Sequence, residues 1–251
     1  MIIDTHTHLD DSRYDDILDN VLLNASNDGV DFHIIPGADL KSLQKACDIS
    51  EKYSNIYFAV GVHPYDLDYF DVDYMKTFIT HKKCVAIGEC GLDYFQKPSD
   101  GEKLLQEKIF RQQIELSIEY SLPLIIHIRD ASSKSLEILK EYKGIYGVLH
   151  CFNASPILLE LSDNFYYGIG GVLTFKNAKN LVDILPQIRQ DRLLIETDAP
   201  YLTPHPYRGT LNEPKYCRLV AIKMAEILNK TIEEVEYITT NNAKKLFKGL
   251  I

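Results

Sequence analysis

Ile2-Ile3-Asp4-Thr5-His6-Thr7-His8, near the start of the 251-residue chain, is a short apolar and β-branched run ending in two histidines one residue apart. In an extended chain, side chains two positions apart share a face, so His6 and His8 can reach the same point. The stretch reads as a strand that delivers two imidazoles from its C-terminal end. Just beyond it, Tyr14, Ile17, Leu18, Val21 and Leu22 fall at i, i+3, i+4, i+7 and i+8, the spacing of an amphipathic helix. The strand-then-helix unit recurs along the chain. With residues 2–5, further candidates at 30–35, 56–62, 84–88, 124–128, 147–149, 165–170 and 192–196 make eight strands. Helix-start signals stand at Asp39 before Leu40 and Leu43, at Ser155 before Pro156, and at Thr231-x-x-Glu234, a capping box.

Alternation of this kind implies a parallel sheet, and eight repeats in about 250 residues favour a closed (β/α)8 TIM barrel over an open doubly wound sheet. No Ser/Gly tract, low-complexity segment or block of like charge interrupts the pattern, so one domain over residues 1–251 is expected. A 45% hydrophobic composition supports a large core, and no window approaches the roughly 20 apolar residues of a membrane span. Met1-Ile2-Ile3-Asp4 lacks the basic and apolar regions of a secretory signal, so a cytoplasmic protein without membrane contact is expected. The five cysteines are scattered and include no C-x-x-C, which signals neither a disulfide framework nor a zinc ribbon. A net charge of −9 argues against a broad basic surface for long duplex DNA. A local anionic-substrate site remains compatible with it, because cations inside one cleft offset an acidic exterior.

Barrel active sites are built at the C-terminal ends of the strands. His6 and His8 end the first strand, Glu89 the fourth, His127 the fifth and His150 the sixth, and Asp198 follows the eighth. His63 sits similarly after the third. A lone histidine is most often structural or simply exposed, but six ligand-type side chains at the same end of one barrel converge. His33 and His81 fall outside the set and read as a packing and a solvated histidine. His205, in the loop after the eighth strand, is a candidate for facing substrate.

The ordered motifs Asp4-Thr-His6-Thr-His8-Leu, Gly61-Val-His63-Pro64, Ile87-Gly-Glu89-Cys-Gly-Leu-Asp93-Tyr-Phe, Pro123-Leu-Ile-Ile-His127-Ile-Arg129-Asp130, His150-Cys-Phe and Glu196-Thr-Asp198-Ala-Pro-Tyr-Leu, with Pro206-Tyr-Arg208-Gly, resemble the signatures of the TatD family of metal-dependent deoxyribonucleases. The resemblance runs from the first strand past the eighth and places the chain beside the amidohydrolase superfamily. It implies two divalent ions, Zn²⁺, Mn²⁺ or Mg²⁺. His6, His8 and Asp198 would bind one and His127 and His150 the other, with Glu89 bridging them, where some related enzymes use a modified lysine. It also implies a DNA substrate, single-stranded or bound at an end, cleaved as by an exonuclease, with no obligate protein partner. Three positions depart from the family pattern: Tyr65 stands where a second histidine is usual, Thr210 and Leu211 where basic residues are, and Asn153-Ala154-Ser155 where a Ser-Gly pair is.

Two ions sharing a carboxylate suit in-line attack of water on phosphorus. Asp198 is then expected to take the water's proton and His63 to help protonate the leaving group, with Glu89 the third catalytic residue. Arg129, two positions after His127, is a candidate phosphate contact, as are Lys176 and Arg208 from the loops where many barrels bind phosphate. Asp93 would orient a ligand from behind, and Tyr94 and Phe95 would stack on a base or pack in the core. The same barrel and donor set also suit hydrolysis of C–N or non-DNA ester bonds, including RNA or aminoacyl esters. A non-catalytic metal-binding module would keep the ions without turnover.

Overall fold

In the computed structural model, which describes residues 1–250, eight strands are hydrogen-bonded in the order of the sequence. They are β1 (Ile2–Asp4), β2 (Val30–Ile35), β3 (Ile56–Val60), β4 (Cys84–Asp93), β5 (Leu124–Arg129), β6 (Gly147–Leu149), β7 (Phe165–Ile169) and β8 (Leu193–Ile195). Every neighbouring pair is parallel. The last strand meets the first: the Thr5 amide donates to the Ile195 carbonyl at 3.1 Å, the Asp198 amide to His6 at 2.9 Å and the His8 amide to Ala199 at 2.7 Å. The ring is therefore the (β/α)8 barrel that the alternation implies.

Eight α-helices accompany the strands: α1 (Leu18–Asn27), α2 (Leu43–Lys52), α3 (Val72–Ile79), α4 (Asp100–Tyr120), α5 (Ser132–Glu141), α6 (Lys179–Ile184), α7 (Cys217–Leu228) and α8 (Ile232–Leu246). No helix among the described residues is long and apolar enough to cross a membrane. The Thr231/Glu234 capping box opens α8 as its spacing predicts. A second box, Ser99/Glu102, opens the long α4. Elsewhere the side chains at the starts behave differently. Asp39 accepts from the Ser42 amide at 3.1 Å and so closes a turn ahead of α2. Residues 12–14 form a separate 3₁₀ turn, because Asp11 accepts from the Arg13 amide, and the first crossover's helix starts at Leu18, later than the periodicity from Tyr14 indicates. Tyr14 is then free to bury its ring and donate its hydroxyl to Asn212 O at 2.6 Å. Ser155 makes no cap, and Pro156–Leu161 is a 3₁₀ helix, leaving β6 and β7 joined without an α-helix.

Residue parity divides the strands' apolar side chains between two cores. Ile3, Ile34, Ala59, Ile125, Val148 and Leu194 cluster with Phe247 and Leu250, so the C-terminal end of α8 plugs the barrel from below. Ile2, Ile35, Phe58, Ile126, Leu149 and Ile195 belong to the outer layer against the helices. Near the mouth the filling changes from side chains to backbone. The Gly37 amide donates to Gly88 O at 2.8 Å and the Glu89 amide to Gly37 O at 3.0 Å, reaching across the end of β3. Only glycine at position 61 permits this, since a Cβ there would lie 2.7 Å from Gly88 O and closer to its carbonyl carbon. The β4 register shifts between Ile87 and Cys90, and the strand continues to Asp93. Glu89 thus lies inside β4 at an irregularity, where the sequence pattern places it at the strand's end.

His33, on β2, is buried with no hydrogen-bond partner for either ring nitrogen, and burial pushes its pKa down to about 3. Below pH 6.5 the unfolded chain takes up a proton that the folded chain refuses, so stability falls as pH drops from 6.5 toward 3 and is unaffected above that window. At about 1.4 kcal/mol per unit, the loss between pH 6.5 and 5 is on the order of 2 kcal/mol. Urea unfolding of wild type and His33→Leu at pH 7.5 and 5 is expected to show a smaller gap in the variant. An unchanged gap would assign the acid sensitivity to other groups.

Candidate metal centre

The mouth of the barrel gathers His6, His8, Glu89, His127, His150 and Asp198, all carried at or just beyond the C-terminal halves of their strands. Glu89 is at their centre, and its two oxygens face different groups. Oε2 lies 3.3 Å from His6 Nε2 and 4.0 Å from His8 Nε2. Oε1 lies 3.0 Å from His127 Nδ1 and 3.3 Å from His150 Nε2. Asp198 Oδ1 joins the first group, 3.3 Å from His8 Nε2 and 3.7 Å from His6 Nε2. Asp198 has φ 57°, a left-handed conformation that aspartate tolerates better than most residues, and its amide bond to His6 ties it to β1.

The His127 and His150 ring nitrogens turned away from the cluster each face a carboxylate. His127 Nε2 is 2.8 Å from Asp93 Oδ2, on the same strand as Glu89, and His150 Nδ1 is 3.2 Å from Glu196 Oε1. The hydrogen bond to Asp93 fixes the His127 tautomer that turns its lone pair toward the cluster, whereas Glu196 lies behind His150 at ion-pair distance without a hydrogen bond of good geometry. Glu196 also accepts the Cys151 amide at 2.6 Å and packs so closely on Gly168 that a Cβ there would overlap its Oε2. Asp93 lies behind His127, in the place where an orienting carboxylate is expected. Glu196 is an additional residue of the site, and its signal was position: it lies two residues before Asp198 in the same extended segment.

The electrostatics of the cluster call for positive charge. Burial alone would raise the Glu89 pKa, but His150, His6 and His63 around it win, and the carboxyl is held well below its usual range. Asp198 is likewise lowered despite burial, chiefly by its hydrogen bond with His8. His150 rises against burial because Glu89 and Glu196 flank it, while burial lowers His6, whose ring stacks on His150 at 3.6 Å. Neither His6 nitrogen has a hydrogen-bond partner among the described residues, although the ring is fully buried. Divalent ions fit these residues. Donors bound at about 2.0–2.1 Å in a tetrahedron lie about 3.3 Å apart, and the pairs His6–Glu89, His8–Asp198 and His150–Glu89 all show 3.3 Å. The sets His6/His8/Glu89 and Glu89/His127/His150 each offer three donor atoms within 4.8 Å of one another.

His63 stands beside this cluster, its Nε2 3.7 Å from Glu89 Oε1 and its ring edge-on to His127 at 4.4 Å. Burial lowers its pKa to about 4, and its Nδ1 accepts the Tyr65 amide at 3.1 Å. The neutral ring therefore carries its proton on Nε2, facing the site.

A cavity of about 690 Å³ opens from His127, His150 and Asp198 over the ends of β5 to β8. Arg129 lines it, with its guanidinium 3.6 Å above the ring of exposed Phe95. Tyr94 instead packs toward α4, its hydroxyl 3.3 Å from Glu107. Of the other two cations expected at the phosphate, Lys176 does not line the cavity, and Arg208 donates to Thr203 O at 2.8 Å and covers Phe175. Lys179, at the start of α6, is the lysine that the fold brings there. The reason is local: residues 171–174 form a 3₁₀ turn that carries Lys176 past the mouth before α6 begins. His205 is exposed and lies outside the cavity, with its amide on Thr174 Oγ1, and His81 pairs with Glu51 at 3.2 Å.

Comparison with known proteins bears on this geometry. The family model described as TatD related DNase matches residues 3–248. The chain is 43% identical to a Bacillus subtilis protein named uncharacterized metal-dependent hydrolase YabD, over 99% of both chains. It is 37% identical to the Escherichia coli K12 protein of the same description, YcfH, over 98% of this chain and 95% of that one. The crystal structure of the Escherichia coli TatD homolog YJJV superposes with a TM-score of 0.88 at 28% identity, covering 98% of this chain and 97% of the other. With a family model matched almost from end to end and full-length relatives on the same barrel, this chain belongs to the TatD related DNase family and is a metal-dependent hydrolase.

Proposed function

We propose that residues 1–251 act as one catalytic domain that hydrolyses DNA phosphodiester bonds, shortening a single strand from an end. It would do so in the cytoplasm and without an obligate protein partner. The observation that carries the reading is Glu89, whose two oxygens each face a separate set of donors beside a cavity edged by a free arginine. Two divalent ions, Zn²⁺, Mn²⁺ or Mg²⁺, fit between them. His6, His8 and Asp198 would hold one, His127 and His150 the other, and Glu89 both.

The chemistry supplied by the ions, when bound, is Lewis acidity, which brings a water's pKa toward neutrality and offsets charge on the phosphoryl oxygens. The chain's own groups do the rest. Arg129, whose guanidinium lies over Phe95, would bind a phosphate oxygen and set the phosphorus over the cluster. Asp198, ionised at neutral pH, would accept the proton of the attacking water. As the water oxygen bonds to phosphorus and the bond to the leaving oxygen breaks, the neutral His63 ring would donate an Nε2–H hydrogen bond to the leaving oxygen, which takes its proton from solvent as Asp198 returns the one it accepted.

The test is cleavage of end-labelled single-stranded DNA by protein stripped with a chelator and reloaded with each ion. Stepwise shortening by the reloaded protein, absent from the stripped one, is expected. Protein that holds its ions and leaves DNA intact would transfer the site to amide or other ester substrates.

A further inference from the structure

The cavity is far larger than a phosphate needs, and its composition changes with distance from the cluster. At about 690 Å³ it lies within the roughly 300–1,000 Å³ of small-molecule sites. Next to His127, His150 and Asp198 it is charged; beyond them its walls are Phe152, Val172, Leu181 and Leu202. Gly168 and Gly170, at the end of β7, line the cavity with backbone, and the Cβ that each lacks would point toward Glu196. The rim carries Asn177 and Asn180, exposed amides without a hydrogen-bond partner among the described residues, and half-exposed Tyr201. The Tyr201 ring lies edge-on to His8 at 5.8 Å, beside the reacting centre. Arg129 is the one arginine of seven whose guanidinium makes no hydrogen bond or ion pair among the described residues.

A free cation near the cluster, then apolar walls, then a rim of two amides, the Lys179 side chain and an aromatic edge match an anionic head joined to a flat heterocycle. We propose that this cavity over β5 to β8 is a nucleobase subsite. It receives the base of the nucleotide whose phosphate meets Arg129, with Asn177 and Asn180 reading the base's edge and Tyr201, over whose ring the Arg13 guanidinium lies at 4.4 Å, closing the rim. The proposal rests on the phosphodiesterase reading and adds to it a specificity-determining pocket. A bare phosphodiester leaves the apolar walls in contact with water, whereas a nucleotide covers them, so binding energy from the base becomes available at the reacting phosphorus.

The experiment compares two chromogenic substrates of the metal-loaded enzyme, thymidine 5′-(p-nitrophenyl phosphate) and methyl p-nitrophenyl phosphate. Wild type is expected to favour the nucleoside ester by about tenfold or more in kcat/KM. Ala178→Trp, which fills the cavity from its wall, and Val172→Phe, a smaller filling, are each expected to bring that ratio toward one. A ratio near one in wild type, or an unchanged ratio in both fillings, overturns the proposal. If neither ester is hydrolysed, the phosphodiesterase reading falls, and equilibrium dialysis with dAMP decides the cavity by itself. Saturable binding to wild type that weakens in the fillings supports the subsite, and absence of binding to wild type overturns it.

Discussion

Glu89→Gln is expected to reduce hydrolysis by about 10³-fold or more and to leave the protein unable to retain two ions. Glutamine keeps the volume of glutamate and one oxygen, so the strand and its neighbours have no steric reason to move. What disappears is the second donor oxygen and the charge. Oε1 and Oε2 face the His127/His150 and His6/His8 pairs respectively, and an amide nitrogen cannot replace either as a ligand. Without that negative charge, imidazoles packed as closely as the 3.6 Å His6–His150 stack also lose the counter-charge that raises His150. The check is ion content per chain by atomic emission after dialysis, alongside turnover and circular dichroism. A folded variant with two ions and a wild-type rate would remove Glu89 from the bridging position.

Gly61→Ala is the second large effect, and it acts on Glu89 from a distance. Gly61 has an ordinary backbone conformation, so the penalty is steric. Its Cβ would meet the Cα, carbonyl carbon and carbonyl oxygen of Gly88, none of which can rotate aside. β4 must then retreat where the Glu89 and Gly37 amides exchange hydrogen bonds, at an expected cost of about 3 kcal/mol of stability. A displacement of the order of 1 Å at the carboxylate is worth about 10²-fold in rate. Gly101, at the start of α4 with nothing within 4 Å of a built Cβ, supplies the control; Gly101→Ala should stay within about 1 kcal/mol of wild type. Urea unfolding and turnover of both variants test this. A Gly61→Ala protein with wild-type stability and rate would show that β4 is not held through this contact.

The parts of the molecule that could be read from the chain were those with a short-range signature. β2 and β6 occupy the residues their apolar runs indicate, and the Thr231/Glu234 box starts α8 as its spacing requires. The histidines were legible because strand ends in this barrel all point the same way. Glu89, by contrast, joins the histidines but lies inside its strand and not at the end that the pattern indicates, since the irregularity at Gly88 depends on Gly37 and Gly61, far away in sequence. The role of Glu196 depends on meeting His150 across β6 to β8, and a buried carboxylate next to an obvious ligand draws no attention from spacing alone. Loop position alone points to Lys176 and Arg208. Loop position does not say that a 3₁₀ turn spends four residues or that Thr203 offers a carbonyl to the guanidinium.

The seam between β1 and β8 joins residues 190 positions apart, and the same seam places Asp198 beside His8. Translation adds about 5–20 residues per second, so Asp198 follows His8 out of the ribosome by roughly 10–40 s. For that interval the nascent chain carries both histidines without the carboxylate that completes their set. Hydrolytic capacity is thereby tied to the closing of the ring, and a chain that stalls or is truncated before its eighth strand is born inert.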